Sequence, residues 1–180
     1  MKKASILIAI FIVMGFGLFS VYSAFAAELK EIEFRNGTIY FPESDVPEVD
    51  LSKLKFSYPQ ETPKEFLNLK GNLYKGRWSH PNDQKFGTMS GCTAYLIPIG
   101  YNAETKEISI LQTAGQSNTT KPARFIISGI YDKSGSSLKY HKASPDKPVP
   151  TYNVHIIENK VRINMSNGAS SDFVPVAKLP

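Results

Sequence analysis

TAYLIPIGYNAETKEISILQT, residues 93–113, is the stretch that decides the predicted fold. In its first part Tyr95, Ile97, Ile99 and Tyr101 recur at every second position, a period typical of a β-strand with one buried face. The isoleucines after the polar link AETK alternate in the same way. A link this short predicts that the two strands pair antiparallel as a hairpin.

The same pattern continues through the rest of the chain from residue 69. Eight candidate strands follow one another: Leu69–Ser79, Thr93–Asn102, Glu107–Thr113, Ala123–Asp132, Leu138–His141, Thr151–Glu158, Lys160–Ser166 and Asp172–Leu179. Links rich in Asn, Asp and Gly separate several of them, and no stretch here shows a sustained helical period. We therefore predict an all-β fold, an antiparallel up-and-down meander whose edges meet in a closed or nearly closed barrel. Pro98 and Pro175 cannot donate to a ladder, which predicts bulges or incomplete closure there.

Gly76-Arg77-Trp78 stands on the first of these strands. A Gly-x-Trp motif followed only by antiparallel strands resembles the calycin-type barrels, including the lipocalins, and is similar to small lipocalin-like domains of secreted bacterial proteins. The resemblance covers about residues 69–180. It implies that Trp78 plugs the closed end of the barrel against a basic side chain, Arg162 or, failing that, Arg124. It also implies a small apolar ligand.

The N-terminus has the features of an export signal. Lys2 and Lys3 precede an apolar run from Ile6 to Phe25, and Ala24-Phe25-Ala26 is typical of a signal peptidase site. We predict a signal peptide over residues 1–26, with an uncleaved membrane anchor as the alternative. Both interpretations place the remaining chain outside the cytoplasm, secreted or periplasmic, with no membrane contact beyond an uncleaved signal.

Residues 27–68 differ from the region that follows. Four prolines (Pro42, Pro47, Pro59 and Pro63) interrupt the apolar pattern, which predicts an extended N-terminal arm before a barrel domain at 69–180. The net charge of +5 falls to about +3 without the leader lysines, so no nucleic-acid partner is expected. The single cysteine, Cys92, excludes an internal disulfide.

Residues capable of catalysis or metal binding fit no known signature. We considered Cys92 with His141 or His155, a metal site of histidines (His80, His141, His155) with Asp83 or Asp132, and a carboxylate pair among Glu104, Glu107, Glu158 and Asp172. A lone cysteine at a strand start is more often a packed apolar residue, and carboxylates at strand ends are usually solvated. We therefore expect a non-catalytic protein without metal or cofactor.

Aromatic residues at alternating strand positions are the more promising set. The predicted ligand-binding residues are Tyr95, Phe125, Tyr131, Tyr140, His141 and Tyr152. A well-filled core is the alternative explanation for these rings. The long links 79–91, 114–122 and 142–150 predict an opening at the barrel end opposite Trp78.

Three functions remain open from the sequence. The first is an exported, non-catalytic barrel that binds a small apolar or amphipathic ligand in its interior. The second is a cell-envelope interaction module, such as a periplasmic hydrolase inhibitor, which contacts a protein partner through loops 79–88 and 143–150. The third is a hydrolase or isomerase with a site inside the barrel.

Overall fold

The computed structural model describes residues 31–80, 91–116, 121–140 and 150–180, and Ile32–Pro180 form one compact unit. The described ranges contain these strands: β1 (Glu33–Arg35), β2 (Thr38–Tyr40), β3 (Val49–Asp50), β4 (Asn72–Arg77), β5 (Thr93–Asn102), β6 (Glu107–Ala114), β7 (Ala123–Ile130), β8 (Ser136–Tyr140), β9 (Tyr152–Ile157), β10 (Lys160–Met165) and β11 (Ser170–Lys178). A 3-10 turn (Leu51–Lys53) and a short helix, α1 (Lys64–Leu67), precede β4. Within these ranges no helix has the length and apolar character needed to cross a membrane.

Strands β4 to β11 form a closed barrel in which each strand pairs antiparallel with the next and β11 returns to β4. This confirms the predicted all-β, up-and-down barrel. The pairing register shifts between Pro98 and Gly100 and between Pro175 and Ala177, so both prolines lie at the predicted irregularities. A proline lacks the amide hydrogen that a regular ladder requires, and a bulge removes that requirement.

The bulge in β5 also changes which side chains face the barrel interior. One extra residue between Pro98 and Gly100 reverses the alternation of the strand. Tyr95 and Ile97 therefore face outward, whereas Tyr101 packs against the interior core. The prediction that the alternate residues of 95–101 share one face is wrong for this reason.

The N-terminal arm is tied to the outside of the barrel. Strands β1, β2 and β3 form a small antiparallel sheet, and its first hairpin turns at Asn36-Gly37, where both residues have positive φ. An outer core of buried apolar side chains joins this arm to β4, β5 and β6: Ile39, Val46, Val49, Leu73, Tyr95, Ile97, Ile99 and Leu111. The backbone of Ser57 also pairs with Gly100, where a Cβ would lie 2.2 Å from the Ser57 carbonyl oxygen.

The interior core is separate from the outer core. Its buried members include Phe66, Leu69, Tyr74, Trp78, Leu96, Ile108, Ile110, Ile127, Leu138, Val154, Ile163 and Phe173. We call the barrel end with the links 103–106, 131–135 and 158–159 the turn end, and the end with the links 78–92, 115–122, 141–151 and 166–169 the loop end. Phe66 and Leu69, from α1 and the residues after it, cover the turn end.

Trp78 lies at the loop end. It directly follows the last residue of β4, and its amide nitrogen donates a hydrogen bond to the Cys92 carbonyl oxygen across the start of β5. Strand direction therefore places the tryptophan at the same end as the long links. The expectation that the long links lie at the end opposite Trp78 is wrong, because the link 78–92 begins at this residue.

Candidate functional site

Three of the aromatic residues singled out in the sequence come together inside the loop end. Phe125 contacts Tyr140 edge-on, with 4.9 Å between ring centroids, and lies 6.0 Å from the ring of Tyr152. Tyr152 is only 4% exposed, while Phe125 and Tyr140 are half-buried and pack against the interior core. His141 lies outside the described residues. Phe125, Tyr140 and Tyr152 thus form an aromatic cluster on β7, β8 and β9.

Tyr95 has a structural position away from this cluster. Its hydroxyl donates a hydrogen bond of 2.6 Å to Oε2 of Glu43 in the arm, and its ring lies 4.3 Å from that of Phe41. Lys75 Nζ contacts Oε1 of the same carboxylate at 2.7 Å. Burial, and then the Glu43 carboxylate, raises the pKa of Tyr95. Tyr95 therefore holds the arm on the outer face. It does not line the interior, because the bulge that reverses the alternation of β5 comes only after it.

Tyr131 lies at the opposite, turn end of the barrel. Its hydroxyl donates to Oε2 of Glu65 in α1 at 3.2 Å, and Lys133 pairs with Oε1 of this carboxylate at 2.8 Å. Burial first, and the charge of Glu65 second, raise the pKa of Tyr131 to about 12. Tyr131 therefore joins α1 to the link after β7, and the structure does not bring it to the aromatic cluster.

The two residues assigned a structural role are also separated. Trp78 is 1% exposed and contacts the Phe173 ring edge-on at 5.8 Å between centroids. Arg162 lies on the outer face of β10, where Nε and Nη2 donate to the two carboxylate oxygens of Asp172 at 2.6 and 2.8 Å. Arg124 donates to the Glu48 carbonyl oxygen of the arm. Among the described residues, Trp78 thus packs on the ring of Phe173, while Arg162 and Arg124 are engaged elsewhere.

The sequence analysis did not identify Gln112, a polar residue inside the barrel. Its side chain is fully buried, and neither Oε1 nor Nε2 has a hydrogen-bond partner among the described residues. The alternation of β6 contained the signal, since Ile108, Ile110, Gln112 and Ala114 occupy successive inward positions. A glutamine in such a series is unusual, because a buried amide without a partner costs free energy.

Trp78 and Tyr74 add further polar atoms to the interior. The Trp78 Nε1 and the Tyr74 hydroxyl are buried, and neither makes a hydrogen bond to a described residue. Burial raises the pKa of Tyr74 to about 12. The Asn72 side chain is close enough to oppose this shift, but its Nδ2 already donates to the carbonyl oxygens of Asn68, Leu69 and Lys70. Gln112 and Trp78 are therefore the clearest polar groups of the described interior that lack a partner.

Strand register connects these groups to the aromatic cluster. Tyr74 lies opposite Leu96, Leu96 opposite Gln112, and Gln112 opposite Phe125, so the four residues form one inward-facing row across β4 to β7. The adjacent row towards the loop end consists of Gly76, Ala94 and Ala114. These residues project nothing larger than a methyl group. The Gln112 amide therefore borders a layer of small side chains on these strands, although Phe173 from β11 packs closely against Gly76 there.

Among the buried residues of the described ranges, His80 is the basic side chain. No Lys, Arg, Asp or Glu is among the buried residues of the described ranges. Cys92 is buried beside this core, and burial, followed by the charge of Asp45, raises the pKa of its thiol to about 11. A protonated, buried thiol is a poor nucleophile. Among the described residues there is also no group of three or more His, Cys, Asp or Glu side chains that could hold a metal ion.

Two clefts lined by described residues lie on the outside of the molecule. One, of about 650 Å³, lies between β6, β7 and β8 and is lined by Glu107, Ser128, Ile130, Asp132, Ser137 and Lys139, among others. The second, of about 480 Å³, is lined by residues 55–59 of the arm and residues 99–104 of β5 and its link, together with Ser109. These clefts belong to the outer surface, and the aromatic cluster faces inward.

No protein-family model, curated protein or solved structure matches this chain. The Gly76-Arg77-Trp78 motif occurs here with its tryptophan at the loop end of a closed eight-stranded antiparallel barrel. The architecture and the interior chemistry therefore carry the functional argument.

Proposed function

We propose that the protein is an exported, non-catalytic barrel, of lipocalin-like type, that binds a small amphipathic molecule in its interior. The observation that carries the proposal is the pair of polar atoms on Gln112 that have no partner among the described residues, in a row with Phe125 inside an apolar barrel. A buried amide that lacks hydrogen bonds costs about 1–3 kcal/mol, so a side chain of this kind favours a polar partner that arrives from outside.

The aromatic cluster supplies the apolar half of the site. Phe125 lies beside Gln112 in the register and contacts Tyr140, which places aromatic surface next to the amide. Ligand sites are typically lined by apolar and aromatic side chains with a few polar groups that fix orientation. A molecule with one polar end at Gln112 and an apolar body towards Tyr140 would satisfy both parts.

Native mass spectrometry of protein purified from its own host tests this proposal. We expect a small-molecule adduct on the folded protein that disappears on denaturation. The Gln112→Met variant should lose the adduct, whereas Thr113→Val should retain it, because the Thr113 side chain faces outward and donates to the Pro47 carbonyl oxygen at 3.0 Å. Identical masses for the folded and denatured wild-type protein would argue against an interior ligand.

One observation favours the second function, a cell-envelope interaction module. Ile130 is 63% exposed beside the outer cleft of about 650 Å³. Ile126 is also exposed on the same outer face of β7, and neighbouring exposed apolar side chains are typical of a protein contact. The loops predicted to make this contact, 79–88 and 143–150, lie almost entirely outside the described residues. The same spectra discriminate between the functions, because a protein partner would appear as a mass of many kilodaltons that persists in Gln112→Met and is lost in Ile130→Lys.

A further inference from the structure

We propose that the polar end of the ligand is a neutral group that both donates and accepts hydrogen bonds, as a primary amide or a lactam does. This inference rests on the proposed interior site and specifies its chemistry. Two observations carry it. The buried atoms without a described partner on Gln112 are one acceptor and one donor group, and no Lys, Arg, Asp or Glu is buried among the described residues.

Gln112 requires both a donor and an acceptor from its partner. Its Nε2 carries two N–H donors and its Oε1 accepts, and both atoms are buried without a partner among the described residues. An amide placed side by side with this group satisfies one donor and the acceptor at once. A group that only accepts, such as an ester, leaves Oε1 unsatisfied, and a group that only donates leaves Nε2 unsatisfied.

Trp78 contributes one more donor and no acceptor. Its Nε1 is buried without a described partner, and an indole N–H can only donate. A carbonyl oxygen has two lone pairs, so one ligand carbonyl has enough acceptor capacity for both Gln112 Nε2 and Trp78 Nε1. The chemistry of the two side chains thus favours a carbonyl together with an adjacent N–H.

An ionised ligand would find little charge compensation among the described residues. His80, their buried basic side chain, already contacts the Asn167 carbonyl oxygen through Nε2 at 2.9 Å. No buried Lys or Arg is available among the described residues to pair with a carboxylate, and no buried Asp or Glu to pair with an ammonium group. An unpaired charge in such surroundings is far more costly to bury than a neutral polar group. The site should therefore discriminate between molecules of equal length by the charge of their polar end.

The size of the ligand follows from the packing around Gln112. The small residues Gly76, Ala94 and Ala114 border its row, but the Phe173 ring approaches Gly76 so closely that a Cβ there would lie 2.7 Å from it. The remaining neighbours in the row, Leu96 and Phe125, are large. We therefore expect a short apolar body and not a long-chain fatty acid.

Three probes that share a six-carbon acyl chain and differ in the polar end test the inference: hexanamide, hexanoate and methyl hexanoate at pH 7.5. Trp78 is the only tryptophan in the chain, so its fluorescence reports binding directly. We expect a saturable change with hexanamide and affinities about 100-fold weaker for hexanoate and about 10-fold weaker for the ester. Gln112→Met should weaken hexanamide binding by about 30-fold, and Thr113→Val should leave it unchanged.

The outcomes separate this inference from the proposed function. Hexanoate that binds as tightly as hexanamide would overturn the neutral class and leave the interior site intact. Failure of all three probes, together with a retained adduct in native mass spectrometry, would overturn the class alone. Failure of the probes without any adduct would overturn both and assign the interior polar atoms to buried water. The probe comparison uses the wild-type chain and does not depend on the folding of a variant.

Discussion

Replacement of Gln112 by methionine should increase the free energy of unfolding of the ligand-free protein. Methionine has nearly the same length as glutamine, and its thioether does not require hydrogen bonds. Because both polar atoms of Gln112 are buried without a partner among the described residues, the substitution removes a desolvation cost and leaves the packing nearly unchanged. Most core substitutions lower stability, so an increase would be a distinctive result.

The magnitude follows from the cost of one unsatisfied group. An unsatisfied buried polar group costs about 1–3 kcal/mol. The same range applies to the whole amide, because the surrounding side chains relax around it and reduce the cost of its second polar atom. For a domain of this size, each kcal/mol corresponds to a rise of roughly 2–4 °C in the midpoint of thermal unfolding. Urea denaturation followed by Trp78 fluorescence measures the change, provided that the slope of the transition is the same in both proteins.

Thr113→Val is the matched control. Thr113 follows Gln112 on β6, but its hydroxyl faces outward and donates to the Pro47 carbonyl oxygen of the arm at 3.0 Å. Its replacement should lower the free energy of unfolding by about 1 kcal/mol. Substitutions at these two adjacent positions should therefore change the free energy of unfolding in opposite directions. A Gln112→Met protein that is less stable than wild type by about 1 kcal/mol or more would show that the amide is well hydrogen-bonded without ligand.

Three further predictions follow from individual side chains. Trp78 should emit as a buried indole, and Trp78→Ala should lower the free energy of unfolding by about 3–5 kcal/mol; emission typical of water-exposed indole would contradict its burial. Burial acts to raise the pKa of Glu43, but hydrogen bonds from Lys75 and Tyr95 outweigh it and lower the pKa below 4.5. The stability that this carboxylate contributes is present above pH 4.5 and is lost as the pH falls through the lowered pKa. The free energy of unfolding of Glu43→Gln, measured across pH 3–7, should therefore lack this acid-linked loss. Cys92 should resist thiol reagents in the folded state because burial raises its pKa to about 11, and Cys92→Ser should retain binding; rapid labelling at pH 7.5 would contradict this.

Much of the barrel could be predicted from the sequence because the relevant signals are local. Alternation over short segments, such as the isoleucines of β6, and the polar links between them indicate antiparallel neighbours without knowledge of distant residues. Closure followed from the need to pair the outer edges. The two prolines even indicated where the ladder would be irregular, at Pro98 and Pro175.

The side chains of β5 that point to the interior could not be predicted in the same way. Its alternation reverses at the bulge, and the conformation there depends on the backbone of Ser57 pairing with Gly100 more than forty positions later in the chain. Tyr95 was therefore assigned to the interior when it lies under the arm. The arm itself is rich in proline. It covers the outer face of the barrel through Ile39, Val46 and Val49, whose partners lie on other strands.

The candidate site shows a related difference between pattern and chemistry. Aromatic residues attract attention in a sequence, yet only Phe125, Tyr140 and Tyr152 meet inside the loop end. Gln112 was overlooked because one polar residue in an alternating series looks like a weak strand position. Its importance depends on what lies opposite it, and that information is in the register of three neighbouring strands.

The two cores of this protein allow its stability and its interior chemistry to be separated. Every residue of β5 from Ala94 to Gly100 is buried, because one face of the strand lines the interior and the other lies under the arm. Full burial of one large aliphatic side chain stabilises a fold by about 1.5–3 kcal/mol. The outer core contains several such residues, among them Ile39, Ile97 and Leu111, and together they more than offset an unsatisfied Gln112 at about 1–3 kcal/mol. The arm thus enables the barrel to hold a polar group inside without loss of the fold.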